Sequence, residues 1–411
     1  MDKIKIFFVY FLTALIPFQV YFPVYDHKHL TMALVMGLMF FCFTFRKLKM
    51  PSSPVILVYG MFLLTITIRG IFAADKPETV KYILFLGMGL IYYQIYHYAE
   101  IKKENIVRVL VLSTLPMVLL MIYIYHHEQL ELVILKQPLM KLFIEPDTLK
   151  EIFTVSYPNI QEPHRVGGFF VNSNIAALNL GLLLPIIIWL LKVARNRWKI
   201  IYGLIGSMFI LAIIYTGSLG AIVALGFSGG AVGLILLFKL VRNKLPAILL
   251  GVGFLVFIFG LVLILRQSNP RLIQVQNNKD FHGRQAIWKA SWQVIKNNWL
   301  FGVGFSGNTW NKYYNPEAEK FSAPLGFPPH NMFLTIWAKS GVISAGLLLL
   351  FLILKIYESG KRFFLSGEWY SLFLLGSTGW LFFQSQVENF PLMDLRIGAV
   401  FWILLALEGK Q

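Results

Sequence analysis

Charged side chains are scarce in this sequence. They make up 14% of its 411 residues, whereas soluble proteins carry about 25%. The mean hydropathy is correspondingly high, at +0.65. A chain with so little charge is unsuited to a soluble globular fold, and we expect an all-α integral membrane protein, because a helix satisfies its own backbone hydrogen bonds in lipid.

Cysteine is almost absent, and nucleotide-binding motifs are missing. The single cysteine, Cys42, lies in an apolar run and can form neither an internal disulfide nor a cysteine metal cluster. The sequence has no Gly-x-x-x-x-Gly-Lys-Ser/Thr phosphate loop, and no two of its aspartates stand two residues apart. We therefore expect chemistry that uses no nucleotide, no metal and no other cofactor.

About twelve predominantly apolar runs are long enough to be candidate membrane spans. They lie near residues 5–22, 30–45, 55–73, 80–98, 106–125, 174–193, 200–215, 219–238, 246–265, 331–355, 370–386 and 392–407. The first run resembles a signal peptide, but no small-residue cleavage site follows it, so we expect a retained anchor. We expect one polytopic domain over residues 1–411, with two long loops at residues 126–171 and 266–330.

Basic residues cluster in every second connection. The clusters lie at residues 46–49, 102–103, 195–199, 242–244 and 361–362. Because basic loops stay in the cytoplasm, we predict a protein of the bacterial cytoplasmic membrane with both termini inside and both long loops outside. The same signal accounts for the net charge of +17, so membrane lipids are expected as partners and nucleic acid is not.

The second long loop holds the residues best suited to chemistry. From Arg284 the pattern is helical, with Trp288, Trp292 and Ile295 on one face and Arg284 one turn before them. The loop ends at His330, whose backbone is stiffened by two prolines, and a neutral imidazole can accept a proton at neutral pH. The ordinary alternatives are a helix-capping histidine and a loop arginine paired with a carboxylate.

Four short motifs, in this order, resemble the O-antigen ligase and Wzy polymerase family of membrane glycosyltransferases. Residues 165–174 resemble its Gly-Phe-Asn-Asn segment, and residues 216–221 its Thr-x-Ser-Arg-Gly turn. Residues 283–288 and 302–304 resemble its Gly-Arg…Trp…Gly-x-Gly stretch, and residues 330–331 its His-Asn pair. The resemblance covers roughly residues 165–340 and implies a GT-C-like arrangement of helices.

The resemblance implies a metal-independent, inverting glycosyltransferase that acts outside the cytoplasmic membrane. The donor would be a glycan linked to undecaprenyl diphosphate, and the acceptor a sugar on a lipid core or on another lipid-linked glycan. His330 would be the general base. Arg284 would stabilise the departing diphosphate. Asn331, Trp288 and Ser218 would contribute to substrate binding.

One departure from the family pattern concerns the diphosphate. The family's turn has an arginine where this sequence has Leu219, and that arginine is thought to help hold the donor. Its role could pass to Arg165, Arg69, Arg266 or Arg271, of which Arg165 and Arg69 are the candidates for substrate binding. Arg69 could instead extend its charge to the membrane surface, as arginines near helix ends do.

Other polar residues have more ordinary interpretations. Glu388 and Asp394 flank the last outer turn, and we expect them to pair with Arg396 rather than to orient a sugar. We expect Asn172 and Asn174 to be turn and cap residues. Of the tryptophans, we expect only Trp288 and Trp310 to be suited to stack on a sugar.

A secondary transporter or flippase of envelope precursors is the alternative function. Twelve helices with both ends inside would suit it. Transporters usually carry charges near the bilayer midplane and repeated halves, whereas here the spans contain few acidic residues and the halves do not look alike.

Overall fold

The computed structural model describes residues 2–18, 21–25, 28–31, 36–38, 53–72, 76–144, 165–240, 253, 279–389 and 391–410. Several of the predictions fall outside these ranges. They concern Cys42, Arg266, Arg271, the span near residues 246–265 apart from residue 253, and residues 145–164 of the first long loop.

Helices form nearly all of the described structure. In chain order they are α1 (Asp2–Leu15), α2 (Pro54–Ile71), α3 (Lys76–Tyr98), α4 (Lys103–His126), α5 (Glu131–Leu135), α6 (Ser173–Val193), α7 (Asn196–Tyr215), α8 (Leu219–Leu240), α9 (Lys279–Asn297), α10 (Gly307–Lys320), α11 (Met332–Ser340), α12 (Val342–Ser366), α13 (Trp369–Gln384) and α14 (Leu395–Ala406). Short 3₁₀ turns lie at Glu128–Leu130, Pro138–Leu142, Gly168–Phe170 and Pro391–Met393.

Six of the described helices, α2, α4, α6, α7, α8 and α12, are long and apolar enough to cross a membrane. Large apolar side chains point outward from them, for example Leu57, Leu64, Leu119 and Leu204, each 47–66% exposed. Such surfaces suit lipid rather than water, and the chain is a membrane protein. The remaining predicted spans are shorter, less apolar or outside the described ranges.

Two predicted spans differ from the structure. α1 ends at Leu15, before the predicted end of the first span, and residues of that span and of the next lie in an antiparallel hairpin instead. Its strands are β1 (Tyr21–Tyr25) and β2 (Lys28–Thr31), with Tyr21 opposite Thr31. Apart from this hairpin the described elements are helical, as the predicted all-α fold requires, and the aromatic and β-branched residues of the hairpin are types that favour strands.

The predicted span at 331–355 is two helices rather than one. α11 is only nine residues long, and Gly341 separates it from α12 with φ +89°. A Cβ on Gly341 would lie 1.9 Å from the Leu300 carbonyl oxygen, so the close approach of the preceding loop requires glycine at this break.

The helices pack around one large apolar core. It includes residues from α1 to α14, and α6 is the most buried of the candidate spans. A second, smaller core lies between α9, α10 and α11 and contains Ile287, Val294, Trp310, Tyr314 and Ala338. The predicted second loop is therefore a folded helical unit over residues 279–330.

Contacts between the ends of helices define two distinct ends of the molecule. At one end, the end of α7 meets the end of α4, where the Tyr215 hydroxyl lies 3.2 Å from His126 Nε2. At the other, Lys103 at the start of α4 pairs with Glu368 before α13. We call these the His330 end, after the histidine located there, and the Lys103 end.

Candidate active site

His330 lies in a tight turn between the small core and the bundle. Its φ is +48°, a left-handed conformation that is uncommon outside glycine. Its backbone N–H donates to Asn389 Oδ1 at 2.7 Å, and the N–H of Met332 donates to the Ser385 carbonyl at 2.8 Å. The turn is thus fixed against residues 384–389, which follow α13 and are called the 384–389 segment below.

Asn331 caps the helix that follows His330. Its Oδ1 accepts from the N–H groups of Phe333 and Leu334, each at 3.0 Å, while its Nδ2 donates to the carbonyl and side chain of Gln386. These bonds satisfy the free donors at the start of α11. The predicted binding residue Asn331 therefore orients its neighbour His330.

α9 brings Arg284 toward His330. One turn after Arg284, the Trp288 indole N–H donates to the Pro329 carbonyl at 2.8 Å, directly before the histidine. Burial, followed by the positive charge of Arg284, lowers the pKa of His330 to about 4. The imidazole is consequently neutral at neutral pH and carries a free lone pair.

Glu388 is a buried carboxylate in the 384–389 segment. Burial raises its pKa to about 7. The positive charge of Arg284, a hydrogen bond with the Asn174 side chain and the positive charge of Arg165 act in the opposite direction. The charges of the predicted residues Arg284 and Arg165 thus both act on Glu388, although the two arginines lie more than a hundred positions apart in the sequence.

Arg165 is held beside the start of α6 and the turn before α8. Its guanidinium donates to the Asn174 side chain at 2.8 Å and to the Thr216 carbonyl at 3.1 Å. Asn172 caps α6 by accepting from the N–H groups of Asn174 and Ile175. The expected cap is therefore confirmed for Asn172, whereas Asn174 instead connects Arg165 with Glu388.

Residues 204–352 match the family model described as O-antigen ligase. The predicted resemblance is confirmed over this region. It contains the turn before α8, the whole of α9 and the His330 turn. No curated protein matches the chain significantly.

An O-antigen ligase domain supports ligase- or polymerase-type function in general. The matched region includes His330, Arg284, Trp288, Asn331 and Ser218. Arg165 and Glu388 lie outside it, so their place in the site rests on the structure alone.

The turn with the missing family arginine packs on the 384–389 segment. Ser218 is 2% exposed and accepts from Gln384 Nε2 at 3.2 Å. A Cβ on Gly220 would lie 2.3 Å from a Val387 methyl group. Leu219 is 40% exposed. Ser218 thus fixes the turn, and the nearby cation is Arg165, which donates to the Thr216 carbonyl in the same turn.

Arg69 contacts a different part of the region that matches the family model. Its guanidinium donates to the Phe301 carbonyl at 2.7 Å and to the Gly302 carbonyl at 3.1 Å. These contacts attach the Gly302-Val303-Gly304 loop to α2. Among the described residues, no contact joins Arg69 to His330 or Glu388, and its observed role is to hold the loop.

Trp310 is part of the small core. It is 3% exposed, stacks on Tyr314 with ring centroids 4.9 Å apart, and donates its indole N–H to the Phe327 carbonyl. A sugar could not reach its ring faces in this arrangement, so Trp310 is better explained as a core residue. Trp288 remains half-buried beside His330.

Glu388 is the site residue that sequence reasoning missed. The expected partner Arg396 is instead bound by Asp394, with 2.7 Å between Arg396 Nη2 and Asp394 Oδ2. The signal available in the sequence was that Glu388 lies in a stretch poor in acidic residues. The arginines whose charges act on it, Arg284 and Arg165, come from distant segments. Among the described residues, no group of three or more His, Cys, Asp or Glu side chains could hold a metal ion.

Proposed function

We propose that the protein transfers or polymerises glycan carried on undecaprenyl diphosphate, at the outer face of the bacterial cytoplasmic membrane. The observation that carries this proposal is the convergence of His330 and Arg284 at one end of the helix bundle, where the charge of Arg284 acts on the imidazole. The His330 end would face outward. Both termini and the basic residues of the Lys103 end would then face the cytoplasm, as the positive-inside rule requires.

The donor would be held through its diphosphate. The charges of Arg284 and Arg165 both act on the buried carboxyl group of Glu388. Guanidinium groups bind phosphate oxygens with two parallel hydrogen bonds. When the bond between the sugar C1 and the phosphate oxygen breaks, its electron pair goes to the diphosphate. The two arginines would stabilise this charge, a contribution typically worth about 10²–10³ in rate for each donor.

The acceptor would be activated by His330. The attacking sugar hydroxyl forms the new bond to C1 on the face opposite the leaving group, so the anomeric configuration inverts. Its proton passes to the free nitrogen of His330, which the low pKa keeps neutral. The anionic diphosphate would favour the imidazolium that results, because opposite charges raise the pKa of histidine. No step in this scheme requires a metal or a nucleotide.

Replacement of His330 and of Arg284 by alanine tests the proposal. Each variant should reach the membrane and lose surface polysaccharide synthesis, with a rate about 10²–10⁴ below that of the wild type for the missing base. His127→Ala, at the same end, and Lys289→Ala, on the exposed side of α9, are the matched controls and should retain activity.

If both site variants still build full-length polysaccharide at normal membrane abundance, the mechanism is wrong. Ion-coupled uptake into vesicles that survives His330→Ala would favour the transporter alternative. Glycan length in a deletion strain separates the two ligase-type activities. Single repeats accumulate without a polymerase, and long unattached chains accumulate without a ligase.

A further inference from the structure

Glu388 lies at the centre of the candidate site, and the proposed chemistry gives it no role. It is 6% exposed, although ionised glutamate is rarely buried without partners. The next residue, Asn389, accepts from the His330 N–H, and Gln386 accepts from the Asn331 side chain. Glu388 therefore belongs to the same rigid segment that orients the histidine.

The positive charges of two arginines from different elements act on this carboxylate. Arg284 is supplied by α9, and Arg165 by the segment that precedes α6. Asn174, in the first turn of α6, hydrogen-bonds to Glu388 and accepts from Arg165 at 2.8 Å. The charge of Arg284 also acts on His330, whose backbone N–H donates to Asn389, the residue after Glu388. On the connection between α13 and α14, which contains Glu388, the other acidic residue is Asp394, and it is bound to Arg396.

A diphosphate that binds these arginines would bring two or more negative charges next to Glu388. Two anions in one buried site repel strongly, and such a pair relieves the repulsion when one member takes up a proton. We propose that Glu388 is the internal counter-ion of the donor site, and that it takes up a proton from solvent when the donor diphosphate binds to Arg284 and Arg165. This inference rests on the proposed function.

The acid strength of Glu388 suits this role. Because its pKa is about 7 in the donor-free protein, the carboxyl group can take up or release a proton near neutral pH. A nearby diphosphate raises the pKa further, so the bound state holds the proton over a wider pH range. Below pH 7 the carboxyl is already protonated and no uptake is needed. Above pH 7 binding must take up about one proton, and affinity falls by about tenfold per pH unit.

The pH dependence of binding tests the proposal. The probe is undecaprenyl diphosphate without glycan, titrated into the full chain in detergent between pH 6 and pH 8.5 by calorimetry in buffers of different ionisation enthalpy. We expect the wild type to take up a proton near pH 8 and to lose affinity as pH rises. Glu388→Gln, which carries no titrating group, should bind more tightly than the wild type at pH 8.5 and should not take up that proton.

Glu131→Gln is the matched control. Glu131 is also buried, at 7% exposed, and burial, followed by the charge of Glu128, raises its pKa to about 7. It lies on α5, where the charge that acts on it is that of Glu128 rather than that of Arg284 or Arg165. Its replacement should leave both the proton uptake and the pH profile of binding as in the wild type, including any contribution from the ligand's own ionisation.

Three results would decide the matter. An unchanged pH profile and proton count in Glu388→Gln would overturn the counter-ion role while leaving the proposed function intact. Failure of the wild type to bind the lipid diphosphate at any pH would overturn the proposed function itself. If Glu388→Gln is not recovered folded, Glu388→Asp replaces it. That variant should keep the proton uptake with a displaced midpoint, and loss of the uptake there would contradict the proposal.

Discussion

The two ends of the molecule treat buried charge in different ways. At the Lys103 end, lysine and glutamate form direct pairs, such as Lys103 with Glu368 at 3.0 Å and Lys355 with Glu408. At the His330 end, the charge of Arg284 acts on both a neutral imidazole and a buried carboxyl group with a pKa near 7. Charges at the Lys103 end are neutralised by ion pairs within the fold. The His330 end instead has titratable groups that can exchange a proton and arginines that can bind an anion.

Removal of one arginine from each end should give the largest contrast. Arg165→Ala should lower glycan transfer by about 100-fold or more, because a charged donor to the departing diphosphate is lost. Arg362→Ala, at the Lys103 end and 43% exposed at its side chain, should leave the rate within about twofold, since partly exposed ion pairs contribute little.

Rates measured at equal membrane abundance check this contrast. Arg165→Lys retains the charge but not the planar fork, and an intermediate rate is expected. Equal activity of Arg165→Ala and Arg362→Ala would remove Arg165 from the donor site.

A smaller effect is expected from the hydrogen bond that places His330. Trp288→Phe keeps the aromatic packing but removes the indole donor to the Pro329 carbonyl, a bond worth about 1 kcal/mol. We expect transfer to fall by up to about tenfold. Trp292→Phe, one turn further along α9 and 40% exposed, should have little effect, and a larger loss in Trp292→Phe than in Trp288→Phe would contradict this assignment.

At the Lys103 end, substitution should change stability rather than activity. Lys103→Met removes a partly buried partner of Glu368, with side-chain exposures of 12% and 21%. The cost should be on the order of 1 kcal/mol, between that of an exposed and that of a buried pair. Thermal unfolding in detergent measures this loss. A collapse of activity with unchanged unfolding temperature would show that the two ends are not separate in function.

The smallest expected signal is the titration of His330. In the donor-free protein its pKa should be about 4, so the imidazole stays neutral as pH falls from 7 to 5. Histidine-labelled NMR spectra of the wild type and of His330→Ala identify its resonance among those of the eight histidines. Undecaprenyl diphosphate should raise this pKa, because it adds negative charge beside the ring. A pKa that falls on addition of the ligand would falsify the shared site.

Local sequence patterns predicted the helices better than the contacts between them. The predicted span at 174–193 matches α6, and that at 219–238 matches α8, because an uninterrupted apolar run leaves few alternatives to a helix. The helical spacing of Arg284 and Trp288 is confirmed in α9. The break at Gly341 was missed, because its cause is the distant carbonyl of Leu300.

The site was predicted only in part for the same reason. Motif order placed His330 and Arg284 together, and the pairing of Asp394 with Arg396 followed from their spacing. The surroundings of Glu388 did not, because the charges of Arg284 and Arg165 act on it only after distant segments have packed together. Arg69 was assigned to substrate binding, but its contacts are with backbone carbonyls that a sequence pattern does not reveal.

The short helix α11 is shared between the two apolar cores. Met332 and Ile336 are buried in the large core, while Ala338 is buried in the small one. The helical unit over residues 279–330 therefore cannot swing as an independent lid. Any tilt of α9 and α10 must carry α11 with it and so displace His330 at its start. Under the proposed function, this would make the reach of the proton acceptor sensitive to any glycan that rests against the unit.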